Sequence, residues 1–363
     1  MSDPRIGQYA RLLVERCLDV QPGWQVLVRT TPLARALLEE VARCVARRGA
    51  YLIPRIGFSL WPTDLAWAAE APEHLLGELP EIDRYSSDHM DARITIEAPE
   101  NTREFAQLTP ERRALHSRAS SYFMRRTMSD EIPWVSCQFP TNALAQEAGM
   151  TFGGFEDFLY GASLLDWDAE GKRMRRLADH FDAADQVRIV GADTDLTLSL
   201  AGRHAEVDAG RANIPGGEFF YAPVEDSAEG TITYGEFETE RGGSLVRGAR
   251  LTFRTGKVVE ASAAAGEDVL IAALDTDGGA RRLGELGIGC NPKVDRYTRN
   301  TLFDEKMGGT VHLALGASYT SIGGTNVSVI HWDMVKDLRR GGRIFCDGEL
   351  VQEDGRWVGD LAG

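Results

Sequence analysis

The chain has few lysines, few cysteines and no long apolar run. Lysine supplies only five of its 40 basic side chains, and arginine supplies the rest. The 55 acidic side chains give a formal net charge of −15. Binding to a phosphate backbone requires clustered positive charge, so this balance disfavours a nucleic-acid partner. We therefore expect no nucleic acid among the partners of this protein.

Membrane and secretion signals are also missing from the sequence. No segment reaches the roughly 18–20 uncharged apolar residues that a membrane span requires. Asp3 precedes any apolar run, which argues against a signal peptide. The five cysteines are widely scattered and never form a Cys-x-x-Cys pair, a pattern typical of a reducing compartment. These observations predict a cytoplasmic protein with no membrane partner.

Several common catalytic signatures are absent as well. The sequence has no G-x-x-x-x-G-K-[ST] phosphate loop, no G-x-S-x-G nucleophile elbow and no H-E-x-x-H helix. These absences exclude most nucleotide-dependent and serine-hydrolase interpretations. The histidines, carboxylates and glycines that remain as candidates lie instead in the last 150 residues, about the size of one domain.

The first half of the chain alternates between helical and extended patterns. Its length of 363 residues, 43% of them hydrophobic, suits two domains. Alternation of this kind predicts an α/β domain with a doubly wound, flavodoxin-like parallel sheet and helices on both faces. The predicted strands are 25–29, 51–54, 92–96 and 134–137, and the predicted helices are 5–19, 33–47, one beginning at Pro110, and 143–148.

The second half of the chain has a different pattern of secondary structure. After a charged helical segment at 154–183, short alternating strands are separated by glycine-containing turns, and 28 of the 38 glycines follow residue 182. We predict strands at 187–190, 196–200, 230–234 and 251–254. The predicted domains are therefore 1–183, an α/β domain that includes the connecting helical segment, and 184–363, a C-terminal α+β metal-binding domain with a mixed or antiparallel sheet.

The run Val327–Met334 contains a His-x-Asp pair. If this run is a strand, His331 and Asp333 lie on one face, because alternate residues share a face, and Trp332 packs on the other. An imidazole and a carboxylate from same-face positions supply half of a metal site. A hydrogen-bonded pair in the core is the alternative.

A second histidine, His312, lies in another apolar strand-like run, Val311–Gly316. Burying an unpaired imidazole is costly, so two histidines in successive strands favour a shared site. The other five histidines lie among charged residues and are expected to be exposed: His74, His89, His116, His180 and His204.

Two glutamates flanked by glycine complete the candidate cluster. Glu218 follows a Pro-Gly-Gly turn, and Glu285 lies in Gly284–Gly289, where glycines let backbone crowd a site. Glu225 and Asp226 are further candidates, with capping as their alternative role. Nothing near Cys290 would lower its pKa, so we interpret it as a small buried residue rather than a nucleophile.

These segments together resemble the M29 family of metallo-aminopeptidases, the thermophilic aminopeptidase type. The resemblance spans nearly the whole chain, and the segments occur in the family's order. They are Asn213–Glu218, Ala222–Ser227, Gly284–Pro292, His312–Tyr319 and His331–Asp333, with Phe139–Met150 in the N-terminal half.

The resemblance implies a site for two divalent ions, zinc or cobalt, while the nitrogen and oxygen donors also suit manganese. A hydroxide bridging two ions would then release the N-terminal residue of a peptide substrate with a free N-terminus. We favour Glu285 as the general base and Glu218 as a bridging or simple ligand, although the sequence does not separate them. The implied metal ligands are Glu218, Glu285, His312, His331 and Asp333.

Tyr319 is implied to lie beside these ligands, either as a further metal ligand or as a donor to the tetrahedral oxyanion. The connection from Tyr319 to His331 is shorter than in longer members of the family, which affects the rim of the substrate pocket. The family also implies a homodimer, and the apolar residues of the helical middle segment would supply its interface.

Two other functions stay open at this point. His312, His331 and Asp333 alone would form the two-histidine, one-carboxylate triad of a non-heme Fe(II) ring-cleaving dioxygenase. A non-catalytic metal- or peptide-binding protein is the third interpretation. Two ions per chain would favour hydrolysis, whereas one iron with oxygen uptake would favour the dioxygenase.

Overall fold

Two compact units make up the chain in the computed structural model, which describes residues 3–58, 64–128, 131–241 and 243–362. Unit 1 comprises residues 1–165 and 210–216, and unit 2 comprises 166–209 and 217–363. The helical segment that we grouped with the N-terminal domain therefore has most of its contacts in unit 2 from Asp166 onward. The predicted domain boundary at 183/184 stays a prediction.

Unit 1 is built on a five-stranded parallel sheet in the order β2-β1-β3-β4-β8. The first four strands follow the flavodoxin-like order, and the predicted fold class is confirmed. The successive residues Val26, Leu27 and Val28 of β1 are all buried, as expected for a strand covered on both faces. The strands are β1 (Gln25–Thr30), β2 (Tyr51–Ile56), β3 (Ala92–Glu97), β4 (Trp134–Gln138) and β8 (Asn213–Ile214).

The helices of unit 1 occupy the predicted connections between its strands. Helix α1 continues as a π-helix over Leu12–Cys17, and α6 begins at Pro110 as predicted. His116 on α6 is buried, so the expectation that it is exposed was wrong. The helices are α1 (Pro4–Arg11), α2 (Arg35–Arg47), α3 (Leu65–Glu70), α4 (Glu73–Leu76), α5 (Glu81–His89), α6 (Pro110–Met128), α7 (Asn142–Glu147) and α8 (Phe152–Ser163).

Unit 2 contains an eight-stranded antiparallel sheet in the order β14-β13-β10-β6-β5-β18-β19-β20, and a short β11-β12 hairpin. His180 on its first helix, α9, is half-buried rather than exposed. The elements are α9 (Trp167–Asp182), β5 (Gln186–Gly191), β6 (Thr194–Ser199), β10 (Glu229–Tyr234), β11 (Thr239–Arg241), β12 (Ser244–Val246), β13 (Ala249–Arg254), β14 (Lys257–Ser262), α10 (Glu267–Leu274), β18 (Arg343–Cys346), β19 (Glu349–Glu353) and β20 (Arg356–Trp357).

A second antiparallel sheet in unit 2, in the order β17-β16-β15-β9-β7, carries the candidate residues. The elements of this sheet and its connections are β7 (Glu206–Asp208), β9 (Glu218–Tyr221), β15 (Leu283–Gly289), α11 (Thr301–Asp304), β16 (Thr310–Gly316) and β17 (His331–Asp337).

Within the described residues, no helix is long and apolar enough to cross a membrane.

This second sheet has one apolar and one polar face because side chains alternate along each strand. Phe219, Leu286, Leu313 and Trp332 are buried in the core on the apolar face. The polar positions alternate with these residues along each strand. Across the strands, Ala314 is the register partner of both Glu285 and Asp333 and therefore lies between them. The five predicted metal ligands all belong to this polar face: Glu218, Glu285, His312, His331 and Asp333.

The predicted strand at Val327–Met334 was wrong in its first half. Strand β17 begins at His331, and Val327 and Val329 are exposed. Asp277 accepts hydrogen bonds from the Ser328 hydroxyl and the Val329 amide, so this stretch is held as a loop. The predicted face sharing of His331 and Asp333 nevertheless holds.

Candidate metal centre

Glu285 lies at the middle of the candidate cluster. Its Oε1 is 3.1 Å from Nε2 of His312, and its Oε2 is 3.3 Å from Nε2 of His331. Oδ2 of Asp333 lies 3.5 Å from the same His331 nitrogen. Ligand atoms of Glu285, His312 and Asp333 all lie within 4.8 Å of one another. The carboxylate of Glu285 therefore has one oxygen beside each imidazole.

Both imidazoles are oriented by backbone carbonyls. Nδ1 of His312 is 3.2 Å from the carbonyl oxygen of Glu305, and Nδ1 of His331 is 2.9 Å from that of Ala317. A ring that donates from Nδ1 to a carbonyl presents Nε2 to a metal. The Nε2 atoms of both histidines accordingly face the carboxylates of the cluster.

Glycine makes room for this arrangement at two positions. Gly287 is the register partner of His312, and a Cβ on Gly287 would overlap the imidazole ring. Gly217, just before Glu218, has φ +115, and a Cβ there would come within 2.7 Å of the side chain of Asn291. The glycines predicted to let backbone crowd the site therefore do so.

Two buried carboxylate oxygens in the cluster have no hydrogen-bond partner among the described residues. They are Oε2 of Glu218, which is 3.6 Å from Nε2 of His312, and Oδ1 of Asp333. An unsatisfied buried carboxylate oxygen is costly unless a cation binds it. Two imidazole nitrogens and three carboxylates form a mixed nitrogen and oxygen donor set that fits a divalent transition metal.

The charges of the cluster shift its pKa values strongly. Burial alone would raise the pKa of Glu285, but hydrogen bonds from His312 and His331 lower it to about 2. Burial would lower the imidazole pKa values, yet the Glu285 carboxylate raises that of His312 to about 10 and that of His331 to about 9. Burial, and then the Glu285 charge, raises the pKa of Asp333 to about 6. Both imidazoles are therefore protonated at neutral pH unless a cation displaces their protons.

Three charged residues that the sequence analysis missed adjoin Glu218. Nζ of Lys306 lies 2.7 Å from Oε1 of Glu218, 2.7 Å from Oε1 of Glu305 and 3.5 Å from Oδ2 of Asp208. Burial would lower the pKa of Lys306, but these carboxylates raise it well above its ordinary value. The position of Lys306, six residues before His312 in a chain with five lysines, was the available signal.

Tyr319 packs beside His331 and is partly exposed. Its ring centroid is 5.3 Å from that of His331 and 5.7 Å from that of Phe220, and 38% of the residue is exposed. Burial of the hydroxyl, followed by the Glu285 charge, raises its pKa, so the phenol keeps its proton at neutral pH. The ring is thus placed to contact a molecule that enters from solvent.

The other sequence candidates lie outside the cluster. Glu225 accepts hydrogen bonds from Arg203 and from the amide and hydroxyl of Thr325, so its carboxylate has a structural role. Asp226 is exposed. Cys290 is buried, and burial raises the pKa of its thiol to about 12, which agrees with its interpretation as a small core residue.

Comparison with known proteins places the chain in a family. A family model described as thermophilic metalloprotease (M29) matches residues 2–357. The chain belongs to the M29 family. Its predicted class, a metallo-aminopeptidase, is thereby confirmed. Aminopeptidase 2 of Geobacillus stearothermophilus is 26% identical over 420 aligned positions that cover 99% of each chain.

Solved structures share the fold of this M29 chain. Wild-type AmpT from Thermus thermophilus superimposes with a TM-score of 0.84 at 24% identity, over 98% of this chain and 99% of that one. A 2,5-dihydroxypyridine dioxygenase from Pseudomonas putida KT2440 superimposes with a TM-score of 0.61 at 14% identity, over 100% of both chains. At these identities the likeness concerns the fold alone.

Proposed function

We propose that this M29 chain is a dinuclear metal-dependent aminopeptidase that removes the N-terminal residue of peptides. Glu218, Glu285, His312, His331 and Asp333 would hold two divalent ions, zinc, cobalt or manganese. The observation that carries the proposal is the position of Glu285 between two imidazoles that present Nε2 to its two oxygens. A carboxylate in that position can serve two neighbouring cation positions at once.

The geometry favours one division of roles between the two glutamates. Glu285 faces His312 with one oxygen and His331 with the other, which supports it as the bridging ligand. Glu218 has only Oε2 available, because Lys306 occupies Oε1, which supports it as a single-oxygen ligand. With a cation at each oxygen, Glu285 would be a weak proton acceptor, because nearby positive charge lowers the pKa of a carboxylate. We therefore propose bridging rather than general-base action for Glu285.

Two bound ions would supply an activated water near neutral pH and would polarise the scissile carbonyl. The residues of the chain have separate tasks. The buried polar face of the sheet fixes the donor positions, and the backbone carbonyls of Glu305 and Ala317 fix the imidazole orientations. Tyr319, protonated and partly exposed, is proposed to donate its hydroxyl hydrogen to the oxyanion that develops on the substrate.

Metal analysis followed by a substrate panel tests the proposal. The purified chain would be stripped with a chelator, reloaded separately with zinc, cobalt or manganese, and assayed with aminoacyl reporters and N-terminally blocked analogues. We expect two ions per chain, loss of release after stripping, recovery on reloading, and no release from blocked analogues. Undiminished activity after thorough stripping would reject the metal mechanism.

The dioxygenase alternative gains one observation, since the chain shares its fold with a 2,5-dihydroxypyridine dioxygenase. The geometry gives it less support, because Glu218 and Glu285 extend the donor set beyond His312, His331 and Asp333. One iron per chain with oxygen uptake on a dihydroxypyridine would favour this alternative. Two ions with no turnover across a peptide library would favour the non-catalytic binding protein.

We also propose a cytoplasmic homodimer. The expected interface was the helical middle segment at 154–183, but among the described residues no large apolar side chain is exposed there. Support comes instead from the edge strand β2 of unit 1, where Tyr51, Ile56 and nearby Phe58 are exposed. Light scattering of the purified chain would show a mass of twice 39.9 kDa.

A further inference from the structure

Lys306 is completely buried beside the metal centre, and its ammonium group contacts three carboxylates. Glu218 and Glu305 each accept a hydrogen bond at 2.7 Å, and Asp208 lies at 3.5 Å. Asp208 and Glu218 are register partners on β7 and β9, so the ammonium spans two neighbouring strands. A lysine ammonium has three donors, and two of them bind Glu218 and Glu305 here.

The turn that carries Lys306 is held in place by its own hydrogen bonds. The Lys306 amide donates to the carbonyl of Phe303, and its carbonyl accepts from the Asn291 amide at 2.9 Å. Asp304 accepts hydrogen bonds from the amide and hydroxyl of Thr298 and from the Asn300 amide. The carbonyl of Glu305, in the same turn, orients His312. One fixed turn therefore contacts two of the proposed ligands.

We propose that Lys306 is a positioning residue of the metal centre, an inference that rests on the proposed role of Glu218 as a ligand. Its ammonium holds Oε1 of Glu218 and leaves Oε2 as the oxygen that faces Nε2 of His312. Without this contact the carboxylate is free to rotate and to offer either oxygen. Lys306 thus restricts Glu218 to one oxygen at one orientation.

Lys336 provides a matched comparison. It is also buried, and it pairs with Oε1 of Glu236 at 2.7 Å and with the carbonyl of Ala192. It lies on β17 between positions of the polar face, so its side chain belongs to the apolar face. If zinc binding depended only on the stability that a buried, ion-paired lysine provides, replacing either lysine would weaken it. If Lys306 acts by positioning Glu218, only the replacement of Lys306 would weaken it.

Zinc affinity in a double-mutant cycle tests the inference. The full chain and its Lys306→Met, Lys336→Met, Glu218→Gln and Glu218→Gln/Lys306→Met variants would be titrated with zinc against a chromophoric chelator, after thermal unfolding has shown that each is folded. We expect Lys306→Met to weaken zinc binding by about 10–100-fold, the usual effect of losing an outer-shell partner. Lys336→Met should leave the affinity unchanged.

The Glu218→Gln background decides how Lys306 acts. If it acts through Glu218, Lys306→Met has little further effect once the carboxylate is gone. An equal loss in both backgrounds, or no loss in either, would overturn the inference. If Lys306→Met does not fold, Asp208→Asn replaces it in the same cycle. We then expect a smaller loss of zinc affinity, and an unchanged zinc affinity would count against the inference. The readout is binding, so an inactive wild type would reject the peptidase mechanism without deciding the role of Lys306.

Discussion

Gly287 lies directly beneath the imidazole of His312, and these two residues are register partners on neighbouring strands. A Cβ on Gly287 would overlap the ring, so the imidazole occupies space that only glycine leaves open. The position of a proposed metal ligand therefore depends on a residue that has no side chain.

Replacing Gly287 with alanine is expected to displace His312 and to weaken zinc binding by at least about tenfold. The measurement is zinc affinity by chelator competition. Gly235→Ala is the control, because a Cβ at Gly235 meets nothing within 4 Å. Wild-type zinc affinity in Gly287→Ala would show that the ring does not need its present position to bind metal.

Glu285→Gln separates the two roles considered for this glutamate. If Glu285 bridges two ions, the variant loses metal, because the amide nitrogen cannot replace a carboxylate oxygen as a ligand. If it acts as the general base, the variant keeps its metal and loses turnover. We expect metal content per chain to fall, measured by elemental analysis after dialysis. Full metal content with no turnover would restore the general-base interpretation.

Metal binding is expected to release protons at neutral pH. The pKa values of about 10 for His312 and about 9 for His331 mean that both rings carry two protons below these values, whereas a metal needs an unprotonated Nε2. Zinc affinity should therefore increase as pH rises from 6 toward about 9. Calorimetry of zinc binding in two buffers of different ionisation enthalpy measures the released protons. The same heat in both buffers would contradict the expectation.

Tyr319→Phe tests the proposed oxyanion donor. Loss of one such donor lowers kcat by about 10²–10³. We expect a reduction of that order with metal content unchanged, measured by steady-state kinetics on an aminoacyl reporter. Tyr297→Phe is the control, because the Tyr297 hydroxyl donates to the carbonyl of Glu238 outside the cluster. Loss of metal from Tyr319→Phe would instead identify Tyr319 as a ligand.

Phe219→Ala tests how much the packing on the apolar face of the sheet contributes to stability. Phe219 is fully buried, and its ring packs against Phe181 at 5.3 Å and Trp357 at 6.3 Å between centroids. Removing a buried phenylalanine side chain costs about 3–5 kcal/mol of unfolding free energy. Urea unfolding of the metal-free chain measures this loss. An unfolding free energy equal to that of the wild type would show that the cavity collapses without cost.

The sequence by itself was enough to predict the fold class and to identify candidate side chains, and its resemblance to the M29 family implied the set of five. Strand alternation places His331 and Asp333 on one face, and the apolar run around His312 identifies a second strand. Glycine next to Glu218 and Glu285 signals close backbone approach. These are local properties, set by the two-residue period of a strand and by the backbone conformations that glycine allows.

Only the tertiary structure decided how those side chains meet. The position of Glu285 between two imidazoles depends on the register of three strands, with Ala314 between Glu285 and Asp333. The proposed roles of Asp208, Glu305 and Lys306 depend on the pairing of β7 with β9 and on a turn that reaches Glu218 from a distant part of the chain. The exposed loop at Val327–Val329 and the burial of His116 likewise follow from long-range packing. Burial and charge pairing are properties of the assembled fold, so no local pattern could show them.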